Sequence, residues 1–266
     1  MLFVCRIPVP RFRKTPPGRS GGRESLTMPT SLTSPSLRSG LSIDRPRSLT
    51  ATVTDRLRQA IMDSELPIGS ELSDVGLAAK LGVSRTPVRE ALSLLQLQGM
   101  VNIIPQKGSY VFFPTEQDII DICEYRIVIE LRAVSFSIAR QRDATLAVLR
   151  QALARMEEAR GRRDPVAYSR ADTVFHEAFI KNCRNRYLQE GYALAAGPIA
   201  TLRTHLSVPL AGVQDRSFIE HQEIAEAFEK GDIVGIESIL VRHILGTRES
   251  YLSALQQGLI GAPPET

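Results

Sequence analysis

The residues of this chain best suited to chemistry are one aspartate and three of the four histidines. Asp172 and His176 stand four positions apart, so on a helix their side chains share one face, one turn apart. His221 shares a helical face with Phe218, Ala225 and Phe228, and His243 shares one with Ile236, Leu240 and Tyr251, so both point inward rather than to solvent. Inward imidazoles with a carboxylate nearby suit Zn²⁺, Ni²⁺ or a similar first-row ion. Spacing alone leaves a second reading open, in which each histidine is a hydrogen-bonded core residue. Water activation by such an ion would call for a further base or nucleophile, and no serine, cysteine or separate carboxylate constellation near these positions reads as one. His205 falls outside the pattern and reads as a structural or surface histidine, unless it and Arg203 reach the same pocket. Arg126 has two readings, a bridge to Glu130 one turn on or a two-pronged donor to a carboxylate ligand. Asn185 reads first as a helix cap and second as a pocket residue.

A second constellation suits nucleic acid. Leu81 to Leu92 reads as the turn and second helix of a helix-turn-helix, with Gly82 breaking a helix that Ser73 caps at Asp74. Pro87 fits the first helical position, with Thr86 as its cap and Ser84 as the alternative. Val88, Ala91, Leu92 and Leu95 form the apolar face, which leaves Ser84, Arg85, Thr86 and Arg89 at the exposed N-terminal end. That end of a recognition helix enters the major groove, where arginine bonds guanine O6 and N7 with two parallel donors. Val101–Ile104 and Ser109–Phe113 are β-prone runs around Pro105, Gln106, Lys107 and Gly108, a wing in which Lys107 would meet phosphate. An ordinary surface turn carrying two arginines is the plainer reading of the same residues.

These motifs need a scaffold, and the chain divides to supply it. Residues 1–48 hold nine Lys/Arg against Glu24 and Asp44, lack any sustained period, and read as a disordered basic tail. Met28 is a second candidate initiator within it. Residues 49–113 balance six basic against six acidic residues, so a DNA-binding reading rests on placement rather than bulk charge. Thr50 or Thr52 is expected to cap a first helix that buries Val53, Leu57, Ala60 and Ile61. Beyond Thr115 helical periodicity takes over, and six helices are expected, over about 115–140, 143–160, 165–182, 185–207, 215–230 and 232–258, with Pro198 kinking the fourth. The expected fold is mainly α, a winged helix-turn-helix at 49–113 followed by an all-α six-helix bundle at 114–260. No apolar run reaches the ~20 residues of a membrane span. Cys5, Cys123 and Cys183 are too scattered for a disulfide framework and suit a reducing interior.

The run from Ile68-Gly69 to Leu92, followed by Gly99-Met100-Val101 and Gly108-Ser109-Tyr110-Val111, resembles the winged helix-turn-helix of GntR-type bacterial transcription regulators. The resemblance implies operator contacts at Arg85, Thr86 and Arg89 and a close approach of the wing tip at Gly108. Val75 stands where that family often has an arginine, so one family contact is missing. The order Asp172-x3-His176, Glu220-His221, Gly231-Asp232 and His243 resembles the FCD effector domain of the FadR branch, and the helix count its VanR-like subgroup. The resemblance implies that Asp172, His176, His221 and His243 bind a divalent metal, for which the ligand set suits Zn or Ni, and that its open positions take a small organic acid; the residues themselves offer Arg126, Asn185 and Arg203 as candidate effector donors. It also implies a cytoplasmic homodimer on double-stranded operator DNA, acting as a repressor that its effector modulates. Two rivals stand beside it: a metal-dependent enzyme with a vestigial DNA-binding domain, and a regulator whose metal only staples the bundle.

Overall fold

A computed structural model of the chain describes residues 48–207 and 213–259. The segment up to residue 47, with Cys5 and Met28, lies outside the described residues, as does the end of the bundle at 260.

The first module packs three helices under a small sheet. Helix α1 (Leu49–Met62) turns Val53, Leu57, Ala60 and Ile61 inward, and helices α2 (Asp74–Leu81) and α3 (Arg85–Leu97) close over them. The cap of α1 is Ser48, whose Oγ accepts from the Ala51 amide at 3.1 Å, rather than Thr50 or Thr52. Thr50 is taken by Glu90, to which its hydroxyl donates at 2.6 Å, tying α1 to α3. Ser48 therefore belongs with the helix that it caps. Ser73 caps α2 as its sequence position predicts, and Gly82 ends it at φ 66°, where a Cβ would be strained. Helix α3 starts one residue before Thr86, with Ser84 as its N-cap residue and no side-chain bond. Pro87 consequently lies deeper in the first turn, where its missing N–H still costs nothing.

Strands β1 (Val101–Ile104) and β2 (Gly108–Val111) pair antiparallel with Ile104 opposite Gly108, so Pro105, Gln106 and Lys107 form the tip. Gln106 takes a left-handed φ of 64° there, and the Tyr110 hydroxyl donates to the Lys107 carbonyl at 3.0 Å. Strand β2 stops at Val111 rather than Phe113, because Phe112 and Phe113 turn away to pack with Ile68, Ile119, Leu202, Tyr251 and Ala254 between the modules.

Helices α4 (Glu116–Arg162), α5 (Pro165–Asn182), α6 (Arg186–Ser207), α7 (Val213–Lys230) and α8 (Ile233–Gln256) form the bundle. The expected caps hold at Thr115, which shares a reciprocal capping box with Asp118, at Asp164 and at Asp232. The two helices expected on either side of residue 142 run on as α4 with one non-helical residue, Gln141 (φ −149°, ψ 45°), and no loop at Asp143. Arginines on both sides of Gln141 hold the bend in place. Arg140 donates to the carbonyls of Cys183 and Arg184 beyond α5, and Arg142 to that of Glu229 in α7. Pro198 lies inside α6, which continues through it.

The modules meet closely. A Cβ on Gly197 of α6 would stand 2.5 Å from the sulfur of buried Met100, so only glycine lets the two surfaces approach so far. Arg170 of α5 grips Asp63 at the end of α1 with Nε and Nη2, each at 2.7 Å. No helix among the described residues is long and apolar enough to cross a membrane.

Candidate metal centre and nucleic-acid interface

Three helices deliver the histidines to one point. His176 from α5, His221 from α7 and His243 from α8 are all buried, and a ligating atom of each lies within 4.8 Å of the other two. The Nε2 atoms of His176 and His221 are 3.1 Å apart. Asp172, one turn before His176, places its two carboxylate oxygens 3.6 Å from His176 Nε2 and from His221 Nε2. All four residues singled out from the sequence thus come together. Two ligands bound to one ion at ~2.0–2.2 Å stand within about 4 Å of one another, so the 3.1 and 3.6 Å separations among His176, His221 and Asp172 fit a common ion.

The opposite ring nitrogens fix which atoms face the centre. His176 Nδ1 is 2.7 Å from Glu130 and His243 Nδ1 is 2.8 Å from Glu220. A carboxylate only accepts, so both Nδ1 atoms carry the proton and both Nε2 atoms turn a bare lone pair inward. His221 Nδ1 meets the Ser217 hydroxyl at 3.3 Å. Burial opposes protonation of the rings more strongly than neighbouring carboxylates favour it. It lowers His176 to about 4 and takes His221 well below the usual histidine range, which keeps them in the neutral state a metal ligand needs. Burial alone would raise the Asp172 carboxyl, but Arg203 and then the histidines hold it below the ordinary carboxylate value. Asp172 Oδ1 is buried and accepts no well-aligned hydrogen bond; its nearest cation is the Arg203 guanidinium, whose Nε stands 2.9 Å away.

Glu130, Glu220 and Ser217 are the parts that sequence reasoning did not assign to the site. Glu130 lies on α4, 46 residues from His176, a distance no local pattern spans. Glu220 adjoins His221 in sequence yet serves His243, and only packing reveals the exchange.

A cavity of about 40 Å³ adjoins the centre, lined among others by Arg126, Asp172, Arg203, Arg216, His243 and Tyr251. Arg126 donates through Nε to Glu130 at 2.8 Å, as the bridge reading has it, but its Nη2 is buried with no partner. Arg203 Nε stands 2.9 Å from Asp172 Oδ1, and both of its terminal nitrogens are buried and unpartnered. Three guanidinium nitrogens therefore remain unsatisfied beside the cavity. Asn185 is not among its walls. Its side chain accepts from the amides of Tyr187 (3.1 Å) and Leu188 (3.3 Å), which corrects the pocket assignment and leaves the capping one. His205 lies away from the centre, on the face of α6 toward α1, where it hydrogen-bonds the Ile61 backbone; burial lowers its pKa to about 4.

On the first module, Ser84, Arg85, Thr86, Arg89, Lys107 and Gly108 are all exposed. Arg85 and Arg89 both reach back to Asp74 at the start of α2. A groove between α2, α3 and the wing is lined by Asp74, Arg89, Gln106 and Gly108. Val75 is exposed and offers no charge.

Comparison with known proteins agrees with both halves. Residues 49–111 match the family of bacterial regulatory proteins called gntR, and residues 121–246 match the FCD domain. The chain is 30% identical over 190 residues, 71% of this chain and 79% of the other, to an HTH-type transcriptional regulator in an unstable DNA locus of Streptomyces ambofaciens. It is 26% identical over 199 residues to a protein of Paenarthrobacter nicotinovorans, named as a probable D-xylose utilization operon transcriptional repressor, covering 74% of this chain and 86% of that one. The fold is shared with a GntR-type regulator of Rhodococcus sp. RHA1 (TM-score 0.69, 24% identity, 77% of this chain and 98% of that one). It is shared also with E. coli McbR/YncC (TM-score 0.67, 22% identity, 80% and 99%).

The chain belongs to the GntR family of transcription regulators, with an N-terminal winged DNA-binding domain and a C-terminal FCD domain. Its relatives carry the names of regulators and repressors, not of enzymes.

Proposed function

We propose that this regulator is a cytoplasmic, homodimeric repressor whose grip on operator DNA is set by a small carboxylate bound at a divalent metal, Zn or Ni, in the bundle. The observation that carries the reading is the convergence of bare Nε2 lone pairs, held by Glu130 and Glu220, beside the buried carboxylate of Asp172. Asp172, His176, His221 and His243 would hold the ion. When bound, it supplies open coordination positions for a carboxylate oxygen. The free donors of Arg126 and Arg203 favour an anionic ligand beside it. The winged domain (about 49–113) reads DNA through Arg85, Thr86 and Arg89, with Ser84, Lys107 and Gly108 against the backbone, and the bundle (about 114–260) senses the effector. Exposed Val128 of α4 and Tyr187 and Leu194 of α6 favour an apolar contact with a second copy. A dimer would then read half-sites about one helical turn, ~34–36 Å, apart.

Helix α5 links the two tasks. It carries Arg170, which grips Asp63 beneath the DNA-binding module, and two and six residues further on it carries Asp172 and His176. An effector that favours one position of α5 would bias the winged domains, to the extent that it binds the two arrangements unequally.

Thermal unfolding tests this reading, with metal-loaded and metal-stripped protein titrated with mono-, di- and hydroxycarboxylates. An acid at 100 times its dissociation constant stabilises the fold by about 2.7 kcal/mol, and the shift should vanish on stripping and in Asp172→Ala, which should still bind operator. A large fall on stripping with no response to any acid would make the metal structural. Turnover of an acid would make the chain an enzyme.

A further inference from the structure

Asp74 is an acid on a surface that faces a polyanion. It opens α2, flanked by Ser73 and uncharged Val75 and Gly76, so nothing basic at that helix start offsets its repulsion of phosphate. Its charge is nonetheless secure. Hydrogen bonds from Arg89, then Arg85, hold its carboxyl below the ordinary range, and the N-terminus of α2 favours a negative charge.

The geometry of those bonds is selective. Arg89 meets Oδ2 through Nε at 2.5 Å, which leaves both terminal nitrogens of its guanidinium outside the pair. Arg85 uses only Nη2, at 3.0 Å from Oδ2 and 3.2 Å from Oδ1. A guanidinium is planar and rigid, so holding Nε narrows the directions in which its remaining donors point. Guanine is read by two parallel donors on O6 and N7, and a side chain already aimed loses less freedom in making them.

We propose that Asp74 is a positioning residue for DNA reading, holding Arg89 by Nε and Arg85 by Nη2 so that their remaining donors present to base edges in the groove between α2, α3 and the wing. The proposal rests on the reading above that these two arginines contact bases. It makes Asp74 a determinant of specificity that costs affinity for DNA in general.

The test uses the full chain and an operator duplex selected from a random pool by the wild-type protein. Affinity for that duplex and for a scrambled one is measured at a single salt concentration for wild type, Asp74→Asn, Asp74→Glu, Arg85→Ala, Arg89→Ala and the Asp74→Asn/Arg89→Ala double variant. Asp74→Asn should lower the preference for operator about tenfold, the scale of one guanine contact, while scrambled DNA binds equally or more tightly. Asp74→Glu should retain most of the preference, and Asp74→Asn should subtract little further once Arg89 is gone. Helical circular dichroism and thermal midpoints establish that every variant is folded. Equal tightening on both duplexes in Asp74→Asn would overturn the proposal, because the acid would then only repel phosphate. Full preference retained in both Arg85→Ala and Arg89→Ala would overturn the base-reading assignment itself, a result distinct from a failure confined to Asp74.

Discussion

Two pairs of arginines do different work in this protein, and their surroundings account for the difference. Arg85 and Arg89 share Asp74 in water, with side chains 53% and 65% exposed. Arg126 and Arg203 each lean on a carboxylate in the interior, where their side chains are 1% and 6% exposed. An exposed pair adds ~0–1 kcal/mol to stability and exchanges partners readily, which suits the transfer to DNA proposed for these donors. A buried guanidinium is cut off from solvent, and each unfilled donor weighs on the stability of the fold. The first pair is therefore legible in binding and the second in stability.

The largest effect expected from this contrast is that of Arg126→Met. It leaves Glu130 in the interior with His176 as its hydrogen-bond partner and the more distant charge of Arg203, and removing one member of a buried pair typically costs ~3–5 kcal/mol. Burial alone would raise the Glu130 carboxyl, and Arg126, then His176, hold it well below its usual range, so the lost charge partner is the dominant one. Urea unfolding measures the cost. A loss under 1 kcal/mol would remove the contrast between the two regions.

Arg89→Ala should do the reverse. Stability should stay within ~0.5 kcal/mol of wild type, as for most exposed positions. Operator affinity should fall by ~1–3 kcal/mol, about tenfold to a hundredfold, if the side chain makes a bidentate base contact. Unfolding and operator titrations on the same preparation decide the matter, and a variant that lost stability rather than affinity would reverse the assignment.

The same contrast separates what was legible in the sequence from what was not. Ser73, Gly82 and the β-prone runs around Lys107 act through neighbours a few residues away, so the helix-turn-helix and wing were readable with ends shifted by a residue or two. The inward histidines were readable because helical period places them against apolar neighbours. Their partners were not. Glu130 reaches His176 from another helix, and Gln141 replaces an expected loop because Arg140 and Arg142 are held by carbonyls more than 40 residues away. Asn185 was open to two readings until its oxygen was found on the amides of its own helix.

Between the two regions lies Asp63, and it offers the smallest effect and the sharpest sign. Burial by itself would raise its carboxyl, but hydrogen bonds from Arg170 and Gln59 and the charge of Arg170 hold it below the ordinary value of 3.8. A carboxyl depressed on folding stabilises the folded state above its unfolded pKa, and that contribution fades as pH falls through the folded one. Asp63→Asn should therefore lower the thermal midpoint at pH 7 by a few degrees at most, since Arg170 is half exposed and such pairs contribute ~0–1 kcal/mol. The gap between wild type and variant should close below about pH 4 as the wild-type carboxyl protonates. A gap that stayed constant from pH 7 to pH 3 would mean that shape, not charge, joins α1 to α5. The link between the FCD bundle and the DNA-binding module would then rest on the close packing of Gly197 against Met100.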